Sequence, residues 1–308
     1  MPRLPVPSNF TIDNSQGTYN TLPEKLWLVA ETSGESVSLP QVRSEWPRVL
    51  HPVDLSLLTL VPIALVGVFT LPLEVREQFV LDVTAPTVET AYASHYVHLN
   101  RTHLVGNLVA YALVAPVAYV LSAVSGRRRL FRTAFVTFLV AFPFALTGMQ
   151  LVFPRERVLF GFSGINAAFF GLLSFVFVSY VSVHLSSSID ERDAPALLFF
   201  MLALITLLTV PSRAWMSELT LISAGIGLVY VGTVLLCAGP PDWGSLVDGW
   251  GGGRAELGII GSGVLLLFPF LGFYQTFTGD GGIFDLYAHF LGYCLAFIVV
   301  YVSALFFE

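Results

Sequence analysis

From about residue 54 onward the chain is a succession of long apolar runs divided by short polar stretches. Crossing a hydrocarbon core of about 30 Å takes roughly 20 apolar residues in a helix. By that measure eight spans are predicted, at about 54–73, 103–124, 130–151, 160–184, 195–211, 217–238, 257–277 and 284–307, the fifth being the shortest. The segment before them is polar and Pro-rich, with no basic start and apolar stretch of a secretory signal. Residues 1–52 are therefore expected to form a cytoplasmic tail, and residues 53–308 a transmembrane domain.

Composition agrees with this reading. Of 308 residues 55% are apolar and 12% charged, about half the charged fraction of a soluble domain. A net charge of −6 offers no basic surface for nucleic acid. Cys237 and Cys294 both lie in apolar runs and suggest neither a disulfide framework nor a metal site. No cofactor is implied.

Arginine placement sets the expected orientation. "SGRRRLFR" puts Arg127, Arg128, Arg129 and Arg132 between the second and third spans, which marks that loop as cytoplasmic. Alternation then places both termini inside a cell membrane, with ten Lys/Arg on inner segments and five on outer ones. The second, fourth and eighth spans enter from the outer face.

Those three spans also carry the polar residues that are expensive in a bilayer. His51 and His184 fall at span ends, and His95 in the outer loop. His98, His103, Asn107, Ser163 and His289 remain. Ser163 lies six residues past Arg157 and Asn107 six past Arg101, each roughly 9 Å at a rise of 1.5 Å per residue. His289 lies four past Asp285, roughly 6 Å. Three helices thus bring polar groups to one level.

Small residues predict which helices meet. Gly164, Ala168 and Gly171 share one helix face, and His289, Gly292 and Ala296 share another. Such faces allow close approach in membranes. Packed together, they bring the His289 imidazole within reach of the Ser163 hydroxyl. A serine becomes a nucleophile when an adjacent base takes its proton, and imidazole suits that task. The Ser163 backbone N–H at a helix start, with His103 and Asn107 at i and i+4, are candidate oxyanion donors.

Singly, each residue has a plainer role. Ser163 reads as a packing serine, His289 as a helix-start histidine, Asn107 as an interhelical bonding residue and Asp285 as a cap. The spacing of His95, His98 and His103 matches no HExxH metal motif. GxSxG is ruled out by Ile165. The plain readings do not explain the common level.

Three motifs in order resemble the rhomboid family of intramembrane serine proteases: His98, His103 and Asn107 in "HLNRTHLVGN"; Gly161, Ser163 and Gly164 in "GFSG"; His289 and Gly292 in "AHFLG". The resemblance covers about residues 54–184 and 284–307. It implies an all-α, six-helix core that cleaves single-span membrane proteins. Ser163 would be the nucleophile, His289 the base, and His103 and Asn107 the oxyanion donors, with His98, Gly161, Gly164 and Gly292 in support. A non-catalytic relative that binds or escorts membrane clients is the alternative.

The chain departs from the family pattern in three places. Ser163 and His289 are 126 residues apart, with three predicted helices between them instead of one. A helical hairpin inserted within about 195–277 accounts for this, with Gly239–Glu256 as its Gly-rich turn or linker, and leaves open which helix is the usual fifth. The first outer loop has "EVREQF" where a Trp-Arg pair is common. Ala167 stands where an aromatic would stack on the base, and Phe162 and Tyr293 are the replacements expected from sequence.

Overall fold

In the computed structural model, the structure describes residues 49–152, 158–186, 188–209, 215–238, 244, 252–273 and 286–307. They all belong to one unit, Gln41–Glu308. The predicted tail up to residue 48, Arg157, Asp285 and most of Gly239–Glu256 lie outside the described residues.

In chain order the elements are α1 (Pro52–Phe69), α2 (Leu73–Glu77), β1 (Leu81–Asp82), α3 (Val88–Ala93), a 3₁₀ turn (Ser94–Tyr96), α4 (Arg101–Val124), α5 (Arg128–Val140), α6 (Phe142–Val152), β2 (Val158–Leu159) and α7 (Ser163–His184). A second 3₁₀ turn (Glu191–Asp193), α8 (Ala194–Thr209), α9 (Trp215–Ala238), α10 (Arg254–Gly272) and α11 (Leu286–Phe307) complete it. Among the described residues six helices are long and apolar enough to cross a membrane, and α5 with α6 makes a seventh span if that bent pair counts as one. The chain is an all-α, multi-pass membrane protein.

Two predicted spans differ from simple rods. The span expected at 130–151 is broken by 51° at Ala141. Pro143, in the first turn of α6, has no N–H to give the Leu139 carbonyl, which instead accepts from the hydroxyls of Tyr92 at 3.2 Å and Tyr96 at 2.5 Å. The span expected at 195–211 is α8, only 16 residues long.

α7 is the centre of the bundle: 89% of its apolar window is buried, against 11% for α9. α11, α4 and α10 pack around it. Among the described residues α9 packs extensively on α8 alone, so the α8–α9 hairpin is peripheral. Of the three helices between α7 and α11, α10 packs on both α4 and α7. A Cβ at Gly261 would stand 2.8 Å from Phe177 and 3.1 Å from Leu121, so the glycine is what lets α10 lie in that groove. Of those three helices, α10 is therefore the one that joins the central bundle, and the α8–α9 pair lies outside it.

Polar ties close the end of the bundle away from Ser163. His184 Nε2 lies 3.0 Å from the Val124 carbonyl, and the Tyr301 hydroxyl donates to the Arg192 carbonyl at 3.3 Å. Three of the four clustered arginines are paired there: Arg127 with Glu191, and Arg128 and Arg132 with the buried Asp54.

Candidate active site

The site is assembled at the other end, where α4, α7 and α11 begin and α10 ends. Each helix start has a local cause. The Asn100 side chain caps α4 by accepting from the His103 N–H at 2.8 Å, which fixes His103 in the first turn. No side chain caps α7, so the N–H of Ser163, its first residue, is one of the orphan donors of a helix start.

Gly161 sets the approach to Ser163. Its φ of 107° is a left-handed conformation that favours glycine. A Cβ there would also stand 2.8 Å from His103 Nε2, so the imidazole lies directly against this backbone. The Gly161 N–H donates to the Ser94 carbonyl at 2.9 Å. Just upstream, β1 and β2 pair antiparallel, Leu81 with Leu159 and Asp82 with Val158. The segment between α1 and α4 is thereby stitched to the strand that precedes Ser163.

His98 is fully buried, with its Nε2 3.5 Å from the Phe162 N–H and its ring 5.0 Å from that of His103. Burial, helped by the neighbouring His103, pushes its pKa down to about 3, so the ring is neutral. Arg76, from the "EVREQF" segment, donates to the His98 and Leu99 carbonyls and, at 3.0 Å, to that of Leu71. Its guanidinium also lies 4.3 Å from the Phe69 ring centre. A single buried arginine thus ties the loop to the end of α1 without the tryptophan.

Asn107 is buried, and its Nδ2 donates to the His103 carbonyl at 3.0 Å. Sequence reasoning passed over its second partner. Asn166, three residues past Ser163, donates to the Asn107 carbonyl at 3.0 Å and to its Oδ1 at 3.1 Å. An asparagine inside an apolar span was the available signal.

The two small faces meet. A Cβ at Gly171 would stand 2.9 Å from the Phe297 backbone nitrogen and 3.1 Å from the Ala296 Cβ; one at Gly164 would stand 3.6 Å from the Ala288 carbonyl oxygen. One at Gly292 would overlap the Gly164 carbonyl. Ser163 and His289 each adjoin one of these contact points. His289 is buried, and its Nδ1 lies 2.6 Å from the Gly272 carbonyl at the end of α10. A carbonyl only accepts, so Nδ1 carries the proton and Nε2 is the basic nitrogen of the neutral ring.

Neither replacement expected for the missing aromatic stands on His289. Phe162 packs against Tyr96 and Tyr111, and Tyr293 against Phe170. Among the described residues Phe273 lies beside His289, the two rings nearly perpendicular with centres 5.8 Å apart. Phe162 precedes α7 and faces Tyr96 and Tyr111, while Tyr293 lies a turn further along α11 than His289 and faces α7. Phe273 is brought in by the end of α10, a partner that periodicity does not reveal.

Half-buried Ser163 opens on a cleft of about 40 Å³ whose lining includes Ser94, His95, Thr147, Gln150 and Gly161. A space of about 10–15 Å³ is enough for a water held by polar partners. In comparisons with known proteins, the chain matches no family model, and no curated protein or solved structure is significantly similar to it.

Proposed function

We propose that this chain is an intramembrane serine endopeptidase of the rhomboid type, cleaving single-span membrane proteins near the outer face of a cell membrane. The observation that supports it is the meeting of α7 and α11 at Gly164 and Gly292, beside a serine and a histidine whose Nδ1 is already committed to a carbonyl.

In this reading Ser163 Oγ attacks the scissile carbonyl carbon and its proton passes to His289 Nε2. The oxyanion accepts from the Ser163 N–H, from His103, and from the Asn107 amide hydrogen not used on His103. The imidazolium then protonates the leaving amine. Water then attacks the acyl-enzyme, gives its proton to His289, and Ser163 is regenerated. Gly272 plays the part that an acid plays in a triad: it holds the tautomer. Both termini are placed on the cytoplasmic side, and the α8–α9 hairpin is an addition to a six-helix core.

The test is cleavage of a single-span substrate with a helix-destabilising segment, in reconstituted vesicles. The parent should cut it, and Ser163→Ala and His289→Ala should each lose at least about a thousandfold. Equal cleavage by either variant contradicts the mechanism. A parent that binds the substrate without cutting it supports the non-catalytic alternative.

A further inference from the structure

Two contacts on the His289 ring come from the end of α10. Its Nδ1 bonds the carbonyl of Gly272, the last residue of α10, at 2.6 Å. Its ring meets the edge of Phe273, the next residue, which is completely buried. That turn is itself held. The Phe273 N–H donates to the Pro269 carbonyl at 2.9 Å. A Cβ at Gly272 would stand 3.0 Å from Phe268, so the Phe268 ring covers the turn from below. Phe268 stacks on Phe170 of α7, centres 4.6 Å apart and planes 26° apart. Phe170 lies seven residues after Ser163, on the same helix face two turns down. An aromatic stack therefore registers the end of α10 against the helix that carries the serine, and the end of α10 orients the histidine.

We propose that Phe273 is the positioning residue for His289, and that the C-terminal turn of α10 orients the base from outside both helices of the Ser163–His289 pair. The inference rests on the reading of those two residues as nucleophile and base. It has a physical consequence. The carbonyl selects the tautomer and the ring edge limits rotation about the imidazole's side-chain bonds, so losing the ring lets the imidazole turn away. The base then spends less time aligned, with no change in the groups that would bind a substrate.

The experiment uses the full chain in detergent and a fluorophosphonate probe, which reports Ser163 reactivity without a known substrate. Labelling rates are measured between about pH 5 and 9 for the parent, Phe273→Ala, Phe273→Leu and Phe273→Tyr. Phe273→Leu keeps most of the volume and guards against misfolding of the alanine variant. Both ring-deleting variants should label at least about tenfold more slowly, with a displaced pH midpoint, and Phe273→Tyr should stay within about twofold of the parent. Nitrogen-15 spectra of the histidines should show His289 as the Nδ1–H tautomer in the parent and a mixture of tautomers in Phe273→Leu. Parental labelling and an unchanged midpoint in Phe273→Leu overturn the proposal, as does an Nε2–H tautomer in the parent. If the parent shows no labelling at Ser163, the protease reading fails, and the tautomer spectra still decide the positioning claim.

Discussion

Gly292 and Gly164 touch backbone to backbone: a Cβ on residue 292 would stand 3.1 Å from the carbonyl carbon of Gly164 and closer still to its oxygen. The contact brings the first turn of α7 against the second turn of α11, with Ser163 and His289 beside it. Gly292→Ala should therefore separate the helices, lowering stability by about 1–3 kcal/mol as overpacking does and reducing Ser163 labelling at least about tenfold. Gly225→Ala is the control, because nothing lies within 4 Å of a Cβ there. Thermal unfolding and labelling of both variants check this. Equal behaviour would mean that the close contact is unimportant.

Asn166 should matter through Asn107. Its amide supplies two bonds to that residue and none that periodicity would predict. Asn166→Leu leaves Asn107 Oδ1 without its donor and frees the amide to turn from the oxyanion position. Cleavage should fall by about ten- to a hundredfold in kcat with KM little changed, since the interaction is made in the transition state. A rise in KM alone would assign Asn166 to substrate binding.

The segment between α1 and α4 should be sensitive to acid. His98 has a folded pKa near 3 against an ordinary 6.5. Burial likewise lowers His95, to about 4. Between those values and 6.5 the unfolded chain binds more protons than the folded one, so stability rises with pH. The stability is fully present above about pH 6.5 and is lost progressively as pH falls toward 3 to 4. Thermal unfolding at about pH 7 and pH 4.5 measures the slope. His98→Gln, which cannot take up the proton, should flatten it; an unchanged slope would show that another group titrates.

Much of the site was legible because its signals are local. A serine between Gly161 and Gly164, a His-Asn pair one turn apart and a histidine beside Gly292 all follow from spacing along single helices. Helix faces rich in small residues also foretold that α7 and α11 meet. Contacts supplied by other elements were not legible. Phe273, Asn166 and Arg76 act across helices or loops, and spacing gives the side a residue faces without naming its neighbour. The same limit explains why α10 could not be distinguished from α8 and α9 as the helix between Ser163 and His289. It became distinguishable through Gly261, whose missing side chain matches a groove between α4 and α7. The break at Ala141 had a visible cause in Pro143, but hydropathy averages over such a break.

The measurement that bears most directly on the central claim is fluorophosphonate labelling of the full chain, with the modified residue located by mass spectrometry. A single adduct on Ser163 is expected, formed by the parent and reduced at least about a hundredfold in His289→Ala. An adduct on another serine, or labelling of Ser163 at the parental rate without His289, would contradict it.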